Sequence, residues 1–193
     1  MSEEDIGLDE HWSYTIKGSL RAIYLYEDLE KICLDAMNDK EEQEFWRNNI
    51  TLQDALKIRL GEETTEIRNK KNKISLIMRS LIDRCYDALV SFVRNQNSRL
   101  AYLVLGVFLM EDGGKMTDEL KEIILRYSDW EYERHQFKII EEEELRKNYL
   151  SEFRKKIMEY IPGVPTSVTE RTLSDVYADH GPFDLTPINY DIR

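Results

Sequence analysis

Paired glutamates are the side chains of this sequence best spaced for chemistry. Glu41, Glu42 and Glu44 form one group, Glu62, Glu63 and Glu66 a second, and Glu141 to Glu144 a third. Carboxylates three or four residues apart share a helix face, and two such faces opposed in a bundle hold a divalent cation in helical metal-dependent hydrolases. Glu63 with Glu66, and Glu141 with Glu144, meet that spacing. A chain with 38 acidic residues also produces such pairs by chance. Nearby lysines and arginines make each group read as a solvated helix face instead. The adopted reading assigns no catalytic residue, no metal ligand and no cofactor, and the hydrolase stands as an alternative.

The other chemical candidates have plainer explanations. Gly113-Gly114-Lys115-Met116-Thr117 superficially matches a phosphate loop. That motif needs a glycine five positions before the second one and a hydroxyl directly after the lysine, where this chain has Leu109 and Met116. A helix stop followed by a cap fits better. His11, His135 and His180 lack the companions of a zinc site. His180 lies between Asp179 and Asp184 in a turn-forming stretch, with no nucleophile signature for it to serve. Cys33 and Cys85 sit among apolar neighbours at helical spacing and read as buried free thiols.

Charge is divided unevenly. Residues 1–66 carry 17 acidic and 7 basic side chains, whereas residues 67–99 carry 2 acidic and 8 basic, within a chain of net charge −11. The basic run Arg68-Asn69-Lys70-Lys71-Asn72-Lys73 continues through Arg79, Arg84 and Arg94. Base-stacking aromatics are not interleaved with it, so pairing with the acidic first third is the expected use. Cations at a helix N-terminus oppose its dipole, which also calls for an acidic neighbour. A pI of about 4.9 disfavours nucleic acid and anionic membranes as partners.

The elements that must position these groups read as helices. With 34% charged residues and only 8 glycines and 4 prolines, the composition favours exposed helices over a turn-rich β fold. Ile16, Leu20, Ile23, Tyr24, Leu29, Ile32, Cys33 and Ala36 predict a helix over 13–37. Asp39 with Glu42 resembles a capping box opening a second helix with Phe45 and Trp46. Thr51 with Asp54 opens a third, which Gly61 ends. Ile74, Met78, Leu81, Cys85, Ala88 and Phe92 step by four and three along a helix over 65–95, widened by Ile77, Ile82, Leu89 and Val93. That helix, about 45 Å long at 1.5 Å per residue, is expected to be the centre of the bundle.

Ser98 is expected to cap Leu100–Met110, apolar on all sides and read as a buried helix rather than a strand for want of a pairing partner. Thr117 opens a helix to about Tyr127. Asp129 starts a long one to about Tyr160, with Phe137, Ile140, Leu145, Tyr149, Phe153 and Ile157 on its inner face. All 4 prolines fall in the last 32 residues, marking a C-terminal tail. Its apolar groups, among them Phe183 and Tyr190, would pack back on the bundle or dock on a partner.

The expected architecture is all-α: a flexible acidic segment over 1–12, a bundle of five to seven helices over 13–160, and an extended, mostly irregular tail over 161–193. The acidic start lacks the pattern of a secretory signal. No apolar run reaches the ~20 residues of a membrane helix. Both point to the cytoplasm.

The expected function is non-enzymatic: an acidic protein-binding module, such as an inhibitor or immunity-type partner, occupying a basic surface of another protein. Candidate contact residues are Glu41, Glu42, Glu44, Glu62, Glu63, Glu66, Trp130, Glu131, Glu133, Phe183 and Tyr190. A structural subunit of a larger assembly, or of a homo-oligomer, is the further alternative, because the broad apolar stripe could face a second copy.

Overall fold

The computed structural model describes residues 11–170 of the 193. Among them are eight α-helices and one 3-10 turn: α1 (Leu20–Leu34), α2 (Asp39–Arg47), α3 (Leu52–Arg59), α4 (Thr65–Gln96), α5 (Arg99–Glu111), α6 (Asp118–Tyr127), the single turn α7 (Trp130–Glu133), the 3-10 turn Ile140–Glu142, and α8 (Glu143–Glu159). The fold is all-α, and no described helix is long and apolar enough to cross a membrane.

The centre of the bundle is α5, not the longer α4. From Leu103 to Met110 every α5 side-chain position is buried, and α5 packs against α1, α4 and α6. A helix apolar all round has no face to give to water, so it must be enclosed. By contrast, α4 buries one stripe, Met78, Leu81, Ile82, Tyr86, Leu89 and Val93, while Asp83, Arg84, Asp87 and Ala88 face outwards. Ala88, expected in the core, is exposed.

Helix boundaries follow local chemistry. Thr51 and Asp54 form the reciprocal capping box of α3. The box of α2 is one residue earlier than expected, with Asn38 as cap and Glu41 bonding back to it. Thr64 and Thr117 cap α4 and α6 through their hydroxyls. Gly61 and Gly113 leave α3 and α5 at φ +76°, the left-handed conformation that glycine adopts without a Cβ penalty. Gly113–Thr117 is therefore a stop and a cap, as the missing phosphate-loop residues implied.

Two expected helices are shorter. The first begins at Leu20, capped by Ser19, instead of near Ser13. Residues before it close a tight loop in which the Trp12 amide donates to Gly18 O (2.8 Å) and the Thr15 amide to Ser13 Oγ (3.2 Å). A Cβ on Gly18 would stand 2.4 Å from Ser13 O, so only glycine permits the loop. Leu20 and Tyr24 consequently rotate outwards, and Ala22 and Leu25 take the inner face.

The long helix over 129–160 is broken between α7 and α8. Glu133 and Arg146 are in direct contact, yet on one continuous helix thirteen residues separate side chains by about 20 Å. The chain must turn for them to meet. Phe137 stays buried, but Ile140 and Leu145, assigned to the inner face, are 79% and 48% exposed. The remaining inner residues, Tyr149, Phe153 and Ile157, are buried as expected.

After α8, residues 161–170 are irregular and run back over the α5–α6 corner. The Gly163 amide donates to Gly113 O and the Thr166 amide to Met110 O, both at 2.8 Å, and Val168 is buried. Phe183, Tyr190 and His180 lie outside the described residues.

Candidate functional sites

Three arrangements stand out: an outward-facing apolar ridge on α3, a buried ion cluster around Glu133, and a partly buried acidic cluster at the end of α5.

The α2–α3 region has unusual packing. α3 buries no residue; Asp54, Lys57 and Ile58 form its half-covered side. Leu52, Leu56 and Leu60, spaced by four on the same ridge, are 80%, 53% and 72% exposed. On the preceding helix Phe45 is buried and Trp46, set edge-on against it, is 60% exposed. Helical amphipathicity normally turns such a ridge to the core. Here the polar side is the anchor: Lys70 of α4 reaches Asp54 at 3.1 Å. The Thr51 amide and hydroxyl and the Lys70 ammonium hold the Asp54 carboxyl below the usual carboxylate range.

The candidate glutamates sit around this region but are not one site. Glu41 pairs with Arg84, Glu44 with Arg47, Glu63 with Lys71, and Glu66 with Lys70. Hydrogen bonds from Arg84 and from the Asn38 amide lower the Glu41 carboxyl, and Glu41 in turn raises Arg84. Basic side chains of α4 thus meet the acidic first third. Glu42 and Glu62 make no ion pair among the described residues. Glu63 and Glu66, one of the two pairs spaced for a metal site, engage different lysines. Among the described residues no three His, Cys, Asp or Glu side chains are grouped to hold a metal ion.

The Trp130–Glu133 corner divides. Glu131 is exposed beside Arg134 (3.4 Å), and Trp130 packs partly against the core. Glu133, expected at a contact surface, is 1% exposed. Its Oε1 accepts from Arg146 Nε at 2.8 Å, and its Oε2 is ion-paired with Arg99. Arg146 Nη2 also lies 2.7 Å from Oε1, a contact of charges without hydrogen-bond alignment. Arg146 is 0% exposed, and its Nη1 donates to Tyr14 O at 3.0 Å. Arg99 donates through Nη1 to Tyr127 O at 2.6 Å. Burial pushes the Glu133 carboxyl up, but Arg146 and Arg99 together outweigh it and hold it below the ordinary range. The cluster ties the N-terminal loop, α5, α7 and α8 together.

The third cluster is not legible in the sequence. Glu111 and Asp112 end α5, where the negative end of the helix dipole disfavours them. The Tyr26 hydroxyl donates to Glu111 Oε2, and Lys17 Nζ reaches Oε1 at 3.1 Å while lying 4.3 Å above the Tyr26 ring. Burial first, then the nearby Glu111 carboxylate, raises the Asp112 carboxyl to about 6, against Ser75 and Arg79. Burial, with Glu27 and Glu111, raises Glu30. Burial also raises Glu170, which accepts from the Tyr149 hydroxyl.

A pH dependence follows from these directions. Asp112 binds its proton more tightly folded than unfolded, so its contribution to stability grows as pH falls through about 6 towards 3.8. Glu30 and Glu170 act in the same sense. Glu133 and Glu41 have lowered values; their stabilisation is present above the unfolded-state value of 4.5 and is lost as pH falls through the folded one. The melting temperature is therefore expected to rise from pH 7 to about 5 and to collapse below about 4. Circular dichroism melts across that range check it, and Asp112→Asn is expected to flatten the rise.

Both thiols are free; Cys33 is buried, which pushes it up to about 12, and Cys85 is half-buried. The chain matches no protein-family model, no curated protein and no solved structure.

Proposed function

We propose that this chain is a non-enzymatic protein-binding module that docks through α2 and α3 onto a basic surface of another protein. The observation that carries the reading is the α3 ridge, Leu52, Leu56 and Leu60, turned to solvent on a helix whose polar side is anchored. Holding three leucines and a tryptophan in water forgoes burial at about 25 cal/mol per Å² of apolar surface, and a docking partner recovers it. An apolar row at four-residue spacing on a helix is the anchor pattern of helix-in-groove docking, and an exposed tryptophan beside it is a frequent hot spot.

Charge selects the partner. Asp39 and Glu42 edge the depression beside Trp46, and Glu62 follows the ridge. Lys40, Arg47 and Arg59 are exposed among them, so it is the net charge of −11 over the chain that steers a cationic surface inwards and repels acidic ones. An inhibitory or immunity-type role, in which a basic cleft is covered, is the form of docking that this charge favours.

The test is the salt dependence of binding to the partner recovered with the native protein. At least tenfold weaker binding is expected between roughly 50 and 500 mM salt, because screening shortens the reach of charge from about 14 Å to about 4 Å. Salt-independent association would contradict the charge-led reading. Sedimentation separates it from self-association through the same ridge: like charges oppose that, and a monomer is expected.

A further inference from the structure

An acidic chain has a cationic cavity. Near the N-terminus of α5, between the α4–α5 turn and the α7–α8 loop, lies a cavity of about 600 Å³ lined in part by Arg21, Ser98, Arg99, His135, Lys138 and Arg146. No described lining residue is acidic. Its size falls within the range of about 300–1,000 Å³ that small-molecule sites occupy.

We propose that this cavity binds a doubly charged phosphate group, free or as the monoester of a small molecule. The first argument is charge balance. Glu133, behind the wall, is one carboxylate shared by two guanidiniums, so Arg99 and Arg146 keep a surplus of one positive charge. Lys138 adds a second, and its side chain is exposed, whereas Arg21 is already engaged within the chain. Together they match the charge of about −2 on a phosphate monoester near neutral pH. A carboxylate ligand would leave one positive charge uncompensated.

The second argument is local geometry. The Arg99 guanidinium is held by Tyr127 O, Glu133 and Gln136 Oε1, so its positive charge is fixed beside the cavity before any ligand arrives. Ser98 occupies the cap position of α5 but makes no side-chain capping bond, unlike Ser19, Thr51, Thr64 and Thr117 at their helices. Ser98, Arg99 and Leu100 all line the cavity, so the first-turn amides and the positive end of a 13-residue helix lie beside it. Phosphate oxygens are the acceptors that helix-terminal amides take, and the fixed charges of Arg99 and Arg146 favour an anion there.

The test titrates the full chain with inorganic phosphate, ribose 5-phosphate and acetate at constant ionic strength, followed by calorimetry and by the melting temperature. Submillimolar binding of phosphate or its ester is expected, with a rise of a few degrees at millimolar ligand, and none with acetate. Tighter binding of ribose 5-phosphate assigns the cavity to an organic phosphate, and equal affinities assign it to the free anion; either outcome supports the site. Lys138→Glu, at an exposed position, is expected to keep the melting temperature of the unliganded protein and to weaken binding at least tenfold. No binding beyond that of acetate, or binding undiminished in Lys138→Glu, would overturn the proposal.

Discussion

Glu133→Gln is expected to lower the free energy of unfolding by about 3–5 kcal/mol, the cost of leaving buried guanidiniums without their counter-charge. The carboxylate is 1% exposed and serves Arg99 and Arg146 at once, and Arg146 is itself 0% exposed. A glutamine keeps the shape and loses the charge. Chemical denaturation at pH 7 measures the loss. Adding Arg146→Met to the variant removes the more deeply buried of the two orphaned cations and is expected to recover part of it. A glutamine variant as stable as the parent would mean that the cluster does not join α7 and α8 to the bundle.

The second large effect is expected at Phe153, where α8 meets the central helix. Phe153 is fully buried, and its Cζ lies 3.1 Å from where a Cβ of Gly106 would stand. The aromatic ring fills the space that the missing side chain leaves on α5, with Ile124 of α6 beside it. Phe153→Ala is expected to destabilise by about 3–5 kcal/mol, because the close-packed surroundings relax only partly into the void. Gly106→Val is expected to destabilise too, by overpacking. Equilibrium unfolding in urea checks both, and neither should alter the slope with denaturant.

The parts of this fold that were legible in the sequence are those fixed by neighbours in the chain. Apolar spacing placed α4 within a residue of its ends, and an unbroken apolar run identified α5 as a buried helix. Thr51, Thr117, Gly61 and Gly113 marked boundaries because caps and left-handed stops act within four residues. What failed depends on partners distant in sequence. Periodicity alone joined α7 to α8; it could not register that Glu133 turns inward to meet Arg146 and Arg99. Glycine at 18 was the available sign that the first helix starts late, since a crowded loop against Ser13 O leaves no room for a side chain.

The candidate contact residues were read with the same limitation. Charge drew Glu133 into the candidate surface, although burial and two arginines claim that residue. The leucines of α3 carry a spacing that a core-facing helix would also show, so their outward turn is not legible in the sequence. Only the observed packing, with Asp54 tied to Lys70 and the ridge facing out, separates them from the core.

The central claim is that α3 presents its leucines for docking rather than for folding. Changing Leu52, Leu56 and Leu60 together to glutamine, and measuring both unfolding and affinity for the natural partner, tests it most directly. Stability is expected to move by no more than about 1 kcal/mol, as at exposed sites, while affinity falls at least a hundredfold, the loss of the three apolar anchors of a helix-in-groove contact. A variant that unfolds several kcal/mol more easily, or one that binds as well as the parent, would contradict it.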